Sequence, residues 1–274
     1  MKPGKFHAIA WPGRLFSCLL FSCLVLPLPA RALGFSVLVS PPRIEDTAKP
    51  GETYRNIIEI TNVSENAAHM TVHTADWTLQ TDNGVQFSDA LAAGSCRPWV
   101  GIEAPEITLG GNAKRRYRLE VAVPAGAPAG ECRFAVMIEG DAEKLQGSVS
   151  IPVSGRIGVI VYLTIGDAAP QLQLAGRHVG TVDGNVVPVL SVRNTGNAHG
   201  RLEGFVSGTD ASGRRYAFAP STFPVLPGET RDIALVPEAD EAGAPVPAIA
   251  YPVQLKGRLE WGSQHLDVEA TFSR

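Results

Sequence analysis

The sequence predicts an all-β protein built from two antiparallel β-sandwiches in tandem. Three observations predict this fold class. Apolar and polar residues alternate in many short segments, turn residues bound each segment, and no stretch repeats apolar residues at helical spacing with caps. Short strands at regular spacing, separated by turn signals, are typical of sandwiches.

Composition narrows the class of protein further. Of the 274 residues, 45% are apolar and 19% are charged, and the chain contains 28 glycines and 21 prolines. This chain is too apolar for a disordered protein. Its formal net charge of −3 argues against a nucleic-acid-binding protein, which normally carries a strong basic excess.

The first 32 residues have the pattern of a secretory signal peptide. Lys2, Lys5 and Arg14 form a basic start, Leu15–Leu28 is an apolar core, and Ala30–Ala32 is an A-x-A cleavage site. The apolar core is shorter than the roughly 20 residues of a membrane span. Apolar sequence continues past its two cysteines, which argues against lipid attachment. We therefore expect export to the periplasm and no integral membrane segment in the mature chain.

Alternating segments run through the first predicted domain, residues 33–166. Pro50-Gly51, Asp82–Gly84 and Gly110–Asn112 are turn signals between them. The apolar positions of the shorter segments are Phe35, Val37, Val39; Ile58, Ile60; Met70, Val72; Tyr117, Leu119, Val121, Val123; and Phe134, Val136, Ile138. The longest ladder contains Val149, Ile151, Val153, Ile157, Val159 and Val161.

The pattern starts again in a second predicted domain, residues 167–274. Ile58–Asn62, followed by Asn66, is echoed by Leu190–Asn194, followed by Asn197. In both copies an apolar strand ends at a turn that contains asparagine. Two copies indicate two related domains in tandem instead of a long repeat array.

Two cysteines, Cys96 and Cys132, follow the predicted cleavage site. An even number of cysteines in an oxidising compartment favours a disulfide. Such a bond would close a loop of about 36 residues and stabilise the fold by about 3–4 kcal/mol. Two buried free thiols are the alternative. A catalytic thiol is not expected, because no histidine lies close in sequence.

Motifs for catalysis, nucleotide binding and metal binding are missing from the sequence. It contains no H-E-x-x-H, C-x-x-C or G-x-S-x-G pattern and no phosphate-binding loop after a predicted strand. His69 and His73 would lie about 13 Å apart along one strand, too far to share a metal. We therefore expect no enzymatic activity, no metal and no cofactor.

A basic cluster, Lys114–Arg116 with Arg118, lies at the start of a predicted strand. Charged strands at the edge of a sheet discourage aggregation. We favour this solvated edge over the alternative, a surface for an anionic partner.

Several segments resemble, in order, the N-terminal domain of periplasmic pilus (fimbrial) assembly chaperones. The resemblance covers Val37 to about Tyr162, and the second domain matches in architecture. It implies two tandem immunoglobulin-like β-sandwich domains. The segments that carry it are Ser40–Ile44, Tyr54–Asn62, Ala104–Gly111, Tyr117–Leu119, Glu131–Val136, Val149–Val153 and Arg156-Ile157.

In that family the seventh strand is lent to a pilus subunit that lacks its own last strand, a mode of strand addition called donor-strand complementation. The resemblance implies that Val149, Ile151 and Val153 are the inserted side chains. It also implies pilus subunits, together with an outer-membrane usher, as partners. The corresponding process is pilus assembly, that is, fimbrium biogenesis and cell-wall organisation.

Two basic residues of the family hold the carboxylate at the subunit's C-terminus. The resemblance places the first anchor on Arg43. The second anchor, a lysine in the family, falls on Gly158. Arg156 lies two residues earlier on the same strand face, so it either replaces the lysine or corresponds to the family's preceding basic residue. An immunoglobulin-like adaptor of the periplasm or cell surface, without chaperone activity, is the alternative function.

Overall fold

The computed structural model describes residues 35–144, 152–239 and 244–274, and only the backbone of residues 143, 144, 152 and 153. The predicted signal peptide lies outside the described residues. Within them, one 3-10 turn at Arg97–Trp99 is found and no α-helix. No helix in this part of the chain is long and apolar enough to cross a membrane. All other regular structure is β.

The first half of the chain contains twelve of the described strands. They are β1 (Val37–Ser40), β2 (Arg43–Ala48), β3 (Thr53–Asn62), β4 (Ala68–Leu79), β5 (Val85–Ser88), β6 (Val100–Ile102), β7 (Glu106–Leu109), β8 (Lys114–Ala122), β9 (Gly130–Gly140), β10 (Glu143–Lys144), β11 (Pro152–Val153) and β12 (Arg156–Ile165).

Two sheets form the first sandwich. One has the strand order β1-β3-β8-β6, and the other has the order β2-β12-β9-β4-β5, with β7 also paired to β4. The inward side chains of both sheets share one core, which includes Ile58, Tyr117, Phe134 and Val161. β7 and β8, which the sequence joins by a Gly-Gly turn, belong to different sheets, so this turn crosses from one layer to the other.

The second half of the chain folds as one seven-stranded sheet of order β13-β14-β17-β16-β15-β18-β19. All of its strands contribute to a second core, so the sheet folds over on itself into facing layers. The strands are β13 (Leu172–Val182), β14 (Asn185–Asn194), β15 (Val206–Thr209), β16 (Arg215–Pro220), β17 (Thr230–Pro237), β18 (Val253–Trp261) and β19 (Gln264–Phe272).

The all-β, two-sandwich fold class is therefore confirmed. The last two strands, β18 and β19, form a hairpin that turns at Gly262 and buries Val253, Leu259 and Phe272. The exact boundary between residues 166 and 167 stays a prediction.

The internal repeat corresponds to two buried asparagines with matching hydrogen bonds. The amide nitrogen of Asn62 donates to the Asn66 and Leu109 carbonyls, and that of Asn194 donates to the Ala198 and Val225 carbonyls. Each Oδ1 accepts the backbone N–H two residues later. Both side chains are fully buried. Each asparagine thus ties a strand end to a distant turn, because buried carbonyls need a donor.

Candidate functional site

β12 presents two different faces, since successive side chains on a strand point to opposite sides. Ile157, Val159, Val161 and Leu163 point into the core of the first sandwich. The opposite face contains Arg156, Gly158, Ile160 and Tyr162 and looks toward the second sandwich, where Leu226 packs against the same cluster as Tyr162. This second face and its surroundings form the cleft between the sandwiches.

The two edges of β12 are paired to different extents. β9 pairs antiparallel with the whole strand, from Arg156 to Ile165. β2 pairs with the other edge in parallel, and only from Ile160 to Ile165. Within the described part of the chain, no strand pairs with the second edge of Arg156–Val159. Among the described residues, this stretch therefore has a strand partner on one side only.

The segment just before β12 includes the predicted donor side chains. Val149 and Ile151 lie outside the described residues. Val153 belongs to β11, whose backbone pairs with β10. Just before β12, Phe35 packs closely on Gly155. A Cβ added to Gly155 would lie 2.3 Å from the Cβ of Phe35.

The two predicted anchors lie on neighbouring strands. Arg43 is paired in register with Ile160, four residues beyond Arg156, which corresponds to about 13 Å along the strand. The Arg43 side chain is 51% exposed, and its Nε lies 2.6 Å from Glu45 Oε1. Arg156 is exposed and forms no ion pair with any described residue. The structure thus places both arginines beside the cleft, without bringing them into contact.

Gly158, the position of the family's lysine, lies midway between these two registers. A Cβ on this residue would be 2.5 Å from Cζ of Phe87 and 3.1 Å from Sδ of Met137. A contact below 3.0 Å is a clash, so no side chain fits here unless the Phe87 ring moves. The space beside position 158 is therefore apolar.

A polar cluster, here called the His199 cluster, joins the two sandwiches at one end of the cleft. His199 donates from Nδ1 and from its backbone N–H to Glu131 Oε2, at 2.5 and 3.0 Å. Its Nε2 lies 3.6 Å from Glu45, which also pairs with Arg201 at 3.0 Å. The His199 ring stacks on Tyr162 with 4.0 Å between ring centroids.

Charge and burial shift the pKa values in this cluster. Burial alone would lower the pKa of His199, but hydrogen bonds to Glu131 and Glu45 raise it overall. The hydrogen bond from His199, together with Arg201 and Arg43, outweighs burial and lowers the pKa of Glu45 to about 2. The imidazolium of His199 and the carboxylates of Glu45 and Glu131 therefore form a charged link between the sandwiches within the His199 cluster.

A second polar contact joins the sandwiches through the turn between β4 and β5. The Arg231 guanidinium donates to the Leu79 and Gln80 carbonyls and to Asn83 Oδ1. It also pairs with Glu229 beside it. Since the Arg231 side chain is 5% exposed, these contacts fix the β4–β5 turn and hence the strand that carries Phe87.

The structure contains the disulfide between Cys96 and Cys132, with 5.6 Å between the Cα atoms. It ties the start of the 3-10 turn to β9, the strand that pairs with all of β12. His69 and His73 have different partners: His69 pairs with Asp141, and His73 pairs with Asp89. Among the described residues, no group of three or more His, Cys, Asp or Glu side chains could hold a metal ion.

Sequence reasoning missed Glu45, His199, Arg201, Phe87 and Arg231. One signal for His199 was present, since it follows the second copy of the asparagine turn. The partners of His199 and Arg201 lie 68 and 156 residues away in the chain. No local sequence pattern indicates contacts between residues so far apart in the chain.

Comparison with known proteins gives structural similarities alone. No protein-family model matches the sequence, and no curated protein sequence matches it. The YadV chaperone is 9% identical, with a TM-score of 0.46 over 86% of this chain and 100% of that chain.

Two further structures contain similar chains. One is the CsuC–CsuE chaperone–tip adhesion subunit pre-assembly complex of Acinetobacter baumannii (15% identity, TM-score 0.45, 88% of this chain and 100% of that chain). The other is the Salmonella enterica SafA pilin in complex with the SafB chaperone (14%, 0.43, 86% and 97%). Each of these three matches extends over more than four fifths of this chain.

Proposed function

We propose that this chain is an exported, periplasmic chaperone-like protein that binds incomplete pilus subunits by lending them a strand. The observation that carries the proposal is the unpaired edge of Arg156–Val159 in the described part of the chain. Unpaired backbone groups at a sheet edge are a template for an added strand. The opposite edge of Arg156–Val159 is paired with β9, so this part of the donated strand stays attached to its own sandwich.

The side chains that would enter the client continue an alternation that is present in β12. Val149, Ile151 and Val153 have the same parity as Ile157 and Val159, and the latter two point toward the apolar core. Burying each aliphatic side chain in a client groove would stabilise the complex by about 1.5–3 kcal/mol. No ATP, metal or cofactor is needed for such binding.

The cleft would receive the C-terminal carboxylate of the client. Arg43 and Arg156 both lie beside it, and a guanidinium binds a carboxylate with two parallel hydrogen bonds. The His199 cluster and the Arg231 contacts keep the two sandwiches together and so fix the width of the cleft. An outer-membrane usher is the further partner that this function requires.

The test is co-expression of the full chain with an incomplete pilus subunit. We expect a soluble one-to-one complex, measured by size-exclusion chromatography with light scattering. Ile151→Asp should abolish capture, because it places a charge in an apolar groove. Leu38→Asp is the matched control, since Leu38 lies 62% exposed on a strand of the other sheet.

Failure of the unaltered chain to capture any incomplete subunit would favour the adaptor function. Equal complex yield for Ile151→Asp and Leu38→Asp would also contradict strand donation.

The anchors are tested in the same complex. Arg43→Ala and Arg156→Ala should each weaken capture about tenfold or more, because a charged hydrogen bond is worth about 1.5–3 kcal/mol. Arg118→Ala is the matched control, since Arg118 is 74% exposed on the first sheet. An Arg43→Ala effect no larger than that of Arg118→Ala would remove Arg43 from this role.

A further inference from the structure

We propose that the cleft selects clients by the side chain of their last residue, which binds an apolar subsite formed by Phe87, Ile160 and the backbone of Gly158. This inference rests on the proposed function and goes beyond it, because it names the chemistry of the client's C-terminus. The expected occupant is a polypeptide C-terminus whose final side chain is aromatic or aliphatic.

The subsite is a layer of apolar groups on the cleft face of the sheet. Phe87 and Ile160 are partly buried and pack on Trp77, Met137 and neighbouring buried groups. Because Phe87 and Ile160 are only partly buried, part of each apolar side chain remains exposed. A partly exposed apolar surface within a cleft is the usual feature of a ligand site.

Gly158 explains how this layer forms. The edge of the Phe87 ring fills the space that a Cβ of residue 158 would need. The edge of the ring therefore meets the strand backbone at Gly158 directly, with no side chain between them. Phe87 is held in this place because β5 pairs with β4, Phe87 lying opposite Trp77, and because Arg231 fixes the turn between the two strands.

The charges at either end of the layer indicate its occupant. Arg156 lies two residues from Gly158 on one side, and the Arg43 register lies two residues away on the other. The carboxylates around this layer are Glu45, 2.6 Å from the Arg43 Nε, Glu139, opposite Arg156 in register, and Asp89, bonded to His73. An apolar layer between two guanidinium groups suits a carboxylate that carries an adjacent apolar side chain, and a chain terminus is such a group.

The experiment compares two forms of the same pilus subunit, one ending in Phe and one ending in Ser. We expect the full chain to bind the Phe-ending form about tenfold more tightly, because partial burial of one aromatic side chain contributes about this much. Phe87→Ser should reduce the preference below about threefold while binding of the Ser-ending form stays unchanged. Phe87→Leu should retain a preference for the Phe-ending form.

Phe205→Ser is the matched control, because Phe205 is a 58% exposed phenylalanine of the second sandwich. It should leave the preference intact. Capture of both subunits with equal affinity would overturn this inference alone, and an unchanged preference in Phe87→Ser would do the same. Capture of neither subunit would overturn the proposed function and this inference together.

Discussion

Replacing His199 by Gln tests how much the His199 cluster, which joins the two sandwiches, contributes to the stability of the fold. The His199 side chain is 11% exposed and its partner Glu131 is 1% exposed. Glutamine keeps a neutral donor near Glu131 but removes the positive charge. The buried carboxylate then retains Arg133, at 3.4 Å, as a cationic partner.

The expected loss of stability is about 2 kcal/mol at pH 6. A hydrogen bond to a charged group is worth about 1.5–3 kcal/mol, and removing one partner from a buried ion pair costs up to about 3–5 kcal/mol. The lower range applies because glutamine still donates a hydrogen bond.

The loss should depend on pH in a defined direction. The pKa of His199 is raised above its ordinary value of 6.5, so its contribution is complete below pH 6.5 and declines as pH rises toward the raised pKa. The decline is about 1.4 kcal/mol per pH unit. The pKa of Glu45 is lowered from 4.5 to about 2, so its contribution is lost as pH falls through that range. The His199 cluster therefore contributes most to the free energy of unfolding between about pH 4.5 and 6.5.

Urea unfolding followed by tryptophan fluorescence measures these differences, because Trp77 lies 5.3 Å from the Tyr162 ring, on which His199 stacks. His178→Gln is the matched control. His178 is 47% exposed and lies 3.4 Å from Asp232, an exposed pair worth about 0–1 kcal/mol. An equal loss in both variants, or a His199→Gln loss that is the same at pH 6 and pH 9, would refute the reasoning.

The other stability predictions concern the disulfide and the two asparagines. Cys132→Ser should lower the free energy of unfolding by about 3–4 kcal/mol, because the 36-residue loop becomes free in the unfolded chain. A thiol assay on the unfolded, unreduced protein should find no reactive thiol from Cys96 or Cys132, and two reactive thiols would contradict the bond. Asn62→Ala and Asn194→Ala should each cost about 2–3 kcal/mol in urea unfolding, because buried carbonyls lose their donor. A loss below about 0.5 kcal/mol in either variant would argue against the shared asparagine role.

Local sequence patterns predicted several of the strands and the internal repeat. Alternation identified β8, because one face of this strand is buried and the other is exposed. β9 was identified from the alternating Phe134, Val136 and Ile138, although both of its faces are buried over this stretch. The repeat around Asn62 and Asn194 was visible because both copies need the same donor at the same strand end. The pairing of β7 with β4 was not visible, since a turn sequence does not reveal which sheet the next strand joins.

The site was predictable to a lesser degree. The resemblance implied Arg43 and Arg156 as anchors for a carboxylate. The structure puts both beside the cleft, and their role as anchors stays a prediction. The sequence did not reveal that Phe87 fills the space beside Gly158, because that contact joins residues 71 positions apart whose sequence neighbours do not mark it. The pairing of Glu45 with both His199 and Arg201 is likewise a product of the packing of two sandwiches.

Amide hydrogen exchange of residues 149–159, with and without an incomplete pilus subunit, tests strand donation most directly. An added strand would engage the backbone N–H groups of this stretch in new hydrogen bonds. We predict that exchange there slows at least tenfold in the complex, while exchange in β3, at the centre of the opposite sheet, stays unchanged. A stable complex in which residues 149–159 exchange at the same rate as in the free chain would contradict the account.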